Sequence, residues 1–352
     1  MLDLRNDFRG IGFALRLLKY NSFMKITVPV HGANPQNLYR AFSLTPPENI
    51  LDFSTNTNIL SWPQNFHGLD IESLASNYPD PECLRLREFI SERENVSPSK
   101  ILFTNGINQA IFLLSGIFPD DTAILQPCYS EYARAFTKAR GIFTLDDAGK
   151  FSHVIITNPN NTTGRFIPDL SRTIAANPQT LFIIDEAYID FLICSKPERL
   201  TAFPNVIILR SLTKIFHLSG ARVGYVIAGE DIIDSLKDRM PSWSVNAFAQ
   251  ELALRFLSDG EFLRRTRDFY RVNAPLFADG LRDAGFCVMD SDVHYFLVKV
   301  DDDIDMVRRL LTKGIAVRHT RNFAGLSGAY IRVATRSPEE NNMLVAAMKG
   351  EC

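Results

Sequence analysis

From about residue 100 to 225, short apolar runs alternate with polar loops and helical patterns. Lys100 to Thr104, Thr122 to Leu125, His153 to Thr157, Thr180 to Ile184 and Val206 to Leu209 are rich in β-branched residues and apolar at nearly every position. A run apolar on both faces suits a strand covered by helices above and below. The intervening helical stretches predict a parallel sheet wrapped by helices. Leu84 to Glu94 and Ile107 to Ile117 read as helices, the second entered through the turn Asn105-Gly106. A long helical region follows from Ala247 to Ala284, and the last hundred residues read as a smaller α+β unit. Its strands are expected near Tyr295 to Val300, Ile315 to Arg318 and Tyr330 to Ala334. The fold class is therefore α/β: a large domain over 61–246 with a mainly parallel central sheet, and a smaller α+β domain over 247–352. Residues 24–60 are expected to join the small domain and the active site, and 1–23 to form an extension or arm.

Composition narrows the class without naming it. With 352 residues, 46% of them hydrophobic and 22% charged, the chain can bury a large core. A formal net charge of -2 offers no basic field for nucleic acid. The five cysteines are scattered and form no Cys-x-x-Cys pair, which argues against a disulfide framework or a zinc site and for a cytoplasmic setting. No run is long enough for a transmembrane helix, and Asp and Arg break up the uninterrupted apolar core that a signal peptide would need within 1–23. No membrane or metal partner is expected.

The chemistry gathers at Arg210 to Tyr225. Just past the Val206–Leu209 run, Ser211, Thr213, Lys214 and Arg222 bring two hydroxyls, an amine and a guanidinium to a strand's carboxyl end, where open α/β sheets hold ligands. One lysine among phosphate-binding side chains suits a cofactor with both an aldehyde and a phosphate, and pyridoxal 5'-phosphate fits. Asp185 ends the most clearly buried run and needs a cationic partner, such as a protonated pyridine nitrogen. Asn161 and Tyr188 are placed to hydrogen-bond the ring hydroxyl. Gly106 opens a helix whose free N–H groups suit a phosphate. Tyr129 reads equally as a ring stacked on the cofactor or as an aromatic packing a helix on the sheet. Lys214, Asp185 and Tyr188 are thus the candidate catalytic residues. Arg318, Arg321, Arg332 and Arg336 fall close together near the carboxyl end. Glu339 and Glu340 are candidate ion-pair partners for Arg321 and Arg336, whereas Arg332 interrupts an apolar strand and points to an anionic ligand.

With His31-Gly-Ala-Asn34, Asp52-Phe-Ser-Thr-Asn56, Ile208-Leu-Arg-Ser-Leu-Thr-Lys214, Trp243-Ser-Val-Asn-Ala247 and Ile331-Arg-Val-Ala-Thr-Arg-Ser337 in view, the chain resembles the fold-type I pyridoxal-phosphate enzymes. The likeness to this aspartate aminotransferase-like superfamily covers nearly all of 25–350. Within it the chain looks like the threonine-phosphate decarboxylase branch of cobalamin biosynthesis, with histidinol-phosphate aminotransferases close by. The resemblance implies a homodimer in which Tyr78 crosses to the neighbour's cofactor phosphate. It implies that Gly106, Ile107, Ser211, Thr213 and Arg222 hold that phosphate while Tyr129 stacks on the ring. It further implies that His31, Asn56, Asn161, Arg318 and Arg332 take the substrate, L-threonine O-3-phosphate or L-serine O-phosphate. An aminotransferase acting on histidinol phosphate, or a non-catalytic domain that keeps the fold, are the competing readings. The family's His-Gly-Gly-Asn is His-Gly-Ala-Asn here, the family's Asn-Pro after the Asp-Phe-Ser segment is Asn58-Ile59, and Asn-Asn-Pro-Thr-Gly is Asn160-Asn-Thr-Thr-Gly164. Without proline, the Asn161–Thr162 bond favours trans by roughly 2.5–4 kcal/mol.

Overall fold

Alternation along the buried strands sorts their side chains into two apolar layers. In the computed structural model, which describes residues 27–350 apart from 64, 65, 67 and 194–196, the strands are β1 (Leu51–Asp52), β2 (Ile101–Thr104), β3 (Thr122–Leu125), β4 (Arg140–Ile142), β5 (His153–Thr157), β6 (Leu181–Asp185), β7 (Val206–Ser211), β8 (Gly224–Ile227), β9 (Tyr295–Lys299), β10 (Ile315–Ala316), β11 (Arg318–His319) and β12 (Tyr330–Ala334). Val154, Ile156, Phe182, Ile184, Val206 and Ile208 face one layer, and Ile155, Ile183, Ile207 and Leu209 the other. That is the period-two geometry of a strand with helices on both sides. The expected arm at 1–23 lies outside the described residues.

The large sheet has seven strands in the order β2-β8-β7-β6-β5-β3-β4. It is parallel except for β8, which runs antiparallel to both β2 and β7. Consequently β5, β6 and β7 all end on the same edge. The small unit holds the antiparallel sheet β11-β12-β9 and the parallel pair β1-β10. Its core takes Leu38, Tyr39 and Phe53 from the amino-terminal segment together with Phe296, Val298, Ile331 and Val333.

The helical region expected over Ala247 to Ala284 is two helices, Ala247–Ser258 and Gly260–Asp283. They part at Asp259, whose carboxylate accepts from Phe262 N at 2.9 Å and caps the second. Phe262 and Tyr270 of that second helix lie in the large core, and Ala274, Phe277 and Leu281 in the small one, so a single helix ties the two together. The run expected at Ile315 to Arg318 divides in two, because β10 pairs with β1 while β11 pairs with β12.

One glycine fixes how closely β8 approaches the helix Gly106–Ile117. A Cβ on Gly224 would lie 2.8 Å from Arg210 O, 2.9 Å from Ile107 Cγ2 and 3.0 Å from Ile107 N. Two of those atoms are backbone and cannot swing away. Gly224→Ala is therefore expected to destabilise the fold by about 1–3 kcal/mol, the usual cost of overpacking, read as a lowered denaturation midpoint with an unchanged denaturant slope.

Candidate active site

The polar ends of β6 and β7 build the floor of the site. Asp185 is the last residue of β6 and is buried. Tyr132 Oη donates to its Oδ2 at 2.8 Å and Ala187 N to its Oδ1 at 2.9 Å. Burial pushes the Asp185 carboxyl up to about 6 against those two donors and the Lys214 charge. Beyond β7 a single helical turn, Leu212–Ile215, carries Lys214. Its backbone is tied to the amino-terminal segment by Asn58 N, which donates to Lys214 O at 2.9 Å. Burial, then Arg222 and Arg332, bring the Lys214 amine down to about 8.

Ser211 Oγ and Thr213 Oγ1 lie 2.7 Å apart. Arg222 has φ 63°, a left-handed backbone rare for a side-chain-bearing residue. Its guanidinium reaches Gly106, where a Cβ would come within 2.7 Å of Nη2. Gly106, Ile107, Tyr129, Asn161, Asp185, Tyr188, Ser211, Thr213, Lys214 and Arg222 all line one cavity of about 110 Å³. Asn108 and Ala187, which sequence reasoning did not single out, complete its wall. A helix amino terminus without a Cβ, two hydroxyls and a guanidinium at one end suit a phosphate, and a buried carboxylate suits a ring nitrogen. These residues fit pyridoxal phosphate.

A second cavity of about 200 Å³ adjoins the first and is lined by His31, Asn56, Arg318 and Arg332. Tyr129, Asn161, Tyr188 and Lys214 line both, so Lys214 stands at the junction. Arg318 and Arg332 face each other across the β11-β12 ladder. Arg318 Nη2 donates to Val30 O at 2.6 Å and Asn322 Oδ1 at 2.7 Å. Arg332 donates to Asn161 O at 2.6 Å and Ser54 O at 3.4 Å. The guanidiniums thus take backbone carbonyls, and for Arg318 a carboxamide, rather than carboxylates, and among the described residues Arg318 Nη1, Arg332 Nε and Asn161 Oδ1 have no partner. Burial, reinforced by Arg332, pushes Arg318 down to about 9. Arg336 does pair with Glu340, at 3.0 Å. Arg321 departs from expectation: it pairs with Asp302 and Asp303 rather than Glu339 or Glu340, because the Thr320 and Arg321 amides already draw the Asp303 carboxylate to that turn.

Tyr78 lines neither cavity. It is 82% exposed, with its ring centroid 4.8 Å from that of Trp243. Cis peptide bonds occur at Gln126–Pro127 and Asn158–Pro159, and Asn161–Thr162 is trans. Ala33, where the resembling family has glycine, sits at φ 64°. Sequence reasoning missed Tyr132, the hydroxyl partner of Asp185, although its spacing of three from Tyr129 on a helical pattern places both on one face. It also missed Glu131, whose Oε1 lies 2.9 Å from His31 Nε2, and Phe323, which packs under both arginines at 5.1 and 6.0 Å.

Comparison with known proteins gives the site its context. Residues 142–348 match the family of class I and II aminotransferases. The threonine-phosphate decarboxylase of Salmonella typhimurium is 31% identical over 91% of this chain and 95% of its own length. The adenosylcobalamin biosynthesis bifunctional protein CobDQ of Leptospira interrogans is 29% identical over 92% of this chain, which spans 41% of that longer protein. Among solved structures, the histidinol-phosphate aminotransferase of Clostridium acetobutylicum superposes with a TM-score of 0.79 at 25% identity, over 86% of this chain and 98% of its own. That of Sinorhizobium meliloti, solved in complex with pyridoxal 5'-phosphate, gives 0.78 at 20% identity over 95% and 98%, which speaks to the fold alone. Pyridoxal phosphate is the cofactor of this family. No helix among the described residues is long and apolar enough to cross a membrane. The chain belongs to the class I and II aminotransferase family, with its large mostly parallel sheet and smaller α+β unit.

Proposed function

We propose that this chain decarboxylates a small O-phosphorylated L-amino acid with pyridoxal phosphate as cofactor. The substrate would be L-threonine O-3-phosphate, giving (R)-1-aminopropan-2-yl phosphate, or L-serine O-phosphate, giving ethanolamine phosphate, for the cobamide nucleotide loop. The observation that carries the reading is the buried Arg318–Arg332 pair, which has no carboxylate partner among the described residues and opens onto Lys214. A buried cation without a counter-charge is costly unless a ligand supplies one. The similarity to a threonine-phosphate decarboxylase over nearly its full length supports the choice of ligand.

Pyridoxal phosphate, when bound, draws into its ring the electron pair of a bond broken at the substrate's α-carbon. Gly106, Ile107, Ser211, Thr213 and Arg222 would hold its phosphate, Tyr129 its ring face, Asp185 its ring nitrogen, and Asn161 with Tyr188 its ring hydroxyl. Arg318, Arg332, His31 and Asn56 would grip the substrate phosphate and so orient the α-carbon, selecting which of its bonds is presented for cleavage. With the carboxylate so presented, its bond to the α-carbon would break, carbon dioxide would leave with the electron pair remaining on the substrate side, and Lys214 would deliver a proton to the carbon. An amine near 8 can both give and take a proton close to neutrality. A homodimer with Tyr78 reaching the neighbouring site, in the cytoplasm, completes the proposal; an exposed Tyr78 beside Trp243 suits such a contact.

A histidinol-phosphate-type aminotransferase is the second reading, favoured by the superposition on such an enzyme. Incubating the purified protein with threonine phosphate, serine phosphate, and histidinol phosphate plus 2-oxoglutarate separates the two. Carbon dioxide and the phosphorylated amine are expected from one of the first two, and glutamate without carbon dioxide would sink the decarboxylase.

Three variants probe the residues. Lys214→Ala is expected to abolish the absorbance near the visible edge that the protein shows with bound cofactor; persistence of that band unchanged would exclude Lys214. Arg332→Ala is expected to weaken the phosphorylated substrate by about 2–5 kcal/mol, the range for removing one partner of a buried charge pair, with little change in cofactor affinity, and equal losses would place Arg332 outside the substrate pocket. For the cofactor-free protein, Lys214 falls on folding from 10.5 to about 8, so the unfolded chain binds the extra proton between those values and stability should rise with pH across that window. Lys214→Met, titrated by chemical denaturation, should flatten that rise.

A further inference from the structure

Residues 29–33 lie at the mouth of the larger cavity, and the two sides hold them differently. On the small-sheet side, Val30 O accepts from Arg318 Nη2 at 2.6 Å and Asn322 Nδ2 at 2.8 Å. Pro29 O lies 2.8 Å from His319 Nε2, and Ala33 N donates to Ser54 Oγ at 3.4 Å. On the large-sheet side the polar contact recorded among the described residues is a single one, from His31 Nε2 to Glu131 Oε1 at 2.9 Å. The His31 ring also tilts against that of Tyr129, 5.8 Å between centroids.

Glu131 is buried and sits on the short helix Ser130–Ala135 that follows β3, directly after Tyr129. Its second oxygen takes Arg134 Nη1 at 3.1 Å, from a side chain 71% exposed. A buried carboxylate next to a cavity that gathers Arg318, Arg332 and Lys214 weakens the attraction of that cavity for anions, unless it organises something there. What it organises is His31, which lines that cavity. A charge-assisted hydrogen bond from a rigid helix confines an imidazole carried on a loop.

We infer that Glu131 is a positioning residue, which holds His31 over the anion cavity and pins residues 29–33 across its mouth. This rests on the reading of that cavity as the seat of the substrate phosphate. Glu131 touches no reacting atom and acts through His31. The strap would part between His31 and Glu131 to admit substrate, since its small-sheet contacts are more numerous and partly bidentate on one carbonyl.

The test uses the cofactor-loaded protein. Glu131→Ala is expected to speed amide hydrogen exchange over residues 29–33 and to lower the calorimetric affinity for O-phospho-L-serine and for inorganic phosphate by about tenfold, the scale of one charge-assisted hydrogen bond. The cofactor absorbance should not move. Glu131→Gln keeps an oxygen that accepts from the imidazole and should restore most of both losses. Arg134→Ala, which removes only the outer partner, should leave exchange and affinity as they are. Unchanged exchange and affinity in Glu131→Ala would overturn the inference, and so would equal losses in Arg134→Ala, which would make Glu131 a partner of Arg134 alone. Should Glu131→Ala not fold, His31→Ala breaks the same contact from the other side and must speed exchange over the same residues; if it does not, the inference fails. A protein that turns over neither phosphorylated amino acid but still shows the exchange response and the loss of phosphate affinity refutes the substrate assignment while leaving the positioning role intact.

Discussion

The structure depends on gathering more positive than negative charge, among the described residues, around two connected cavities. Lys214, Arg222, Arg318 and Arg332 line two connected cavities, and Asp185 is the carboxylate among the lining residues. Burial disfavours the charged forms of Lys214, Arg318 and Arg332, and the downward shifts of the first two to about 8 and about 9 express that. The remainder of the fold must hold these groups where they would rather not be. It does so with backbone carbonyls: Val30 O, Asn161 O and Ser54 O each take a guanidinium N–H. A carbonyl fixes the direction of a cation without cancelling its charge, so the field remains for an incoming anion. Such preorganisation costs little at the moment of reaction because it was built into the fold.

Two architectural features make that arrangement possible. Parallel β5, β6 and β7 end together, which brings the Asn161 loop, Asp185 and Lys214 to one edge from distant parts of the chain. The antiparallel β8 then returns beside β7, and the loop before it carries Arg222 back over the amino terminus of the helix Gly106–Ile117. The second cavity is assembled differently, from the β11-β12 ladder and the amino-terminal segment. That segment packs Leu38, Tyr39 and Phe53 into the small core, which places His31 and Asn56 opposite the large sheet.

Strands with apolar residues on both faces were legible from sequence, and β3, β5, β9 and β12 lie where the apolar pattern put them to within a residue. Three strands were not. The edge strand β4 is Arg140-Gly-Ile and largely exposed, so it carries no buried run to read. β8 follows directly on the polar ligand loop and is masked by it. β1 has two residues and exists through its pairing with β10. Within the site, groups at strand ends could be read because an unpaired Asp or Lys after an apolar run needs a reason. The partners of those groups were harder, because a hydrogen bond such as Tyr132 to Asp185 joins positions 53 apart and leaves no local pattern. The same limit explains Arg321: proximity in sequence favoured Glu339 and Glu340, whereas the fold brings it to Asp303.

The cofactor cavity cannot by itself choose between decarboxylation and transamination, since both need an acid at the ring nitrogen, a phosphate cradle and one mobile amine. The choice falls to whatever sets the rotation about the bond between the α-carbon and its nitrogen, and in the proposed reading that is the second cavity. Anchoring an anionic group between Arg318 and Arg332, on the small-sheet side of Lys214, would fix one substituent of the α-carbon and thereby the direction of the other two. Discrimination by orientation tolerates little error, because a slight misplacement at the α-carbon exchanges one scissile bond for another. A site of that kind needs its anion-binding groups held from more than one element. Arg318 and Arg332 come from adjacent strands, Asn56 from the loop after β1, and His31 from a strap fastened to the large sheet through Glu131. By contrast, a single methyl group, the difference between the two proposed phosphorylated amino acids, contributes only about 1–3 kcal/mol in a pocket, so in the proposed reading orientation would discriminate between reactions more firmly than the pocket would between those substrates.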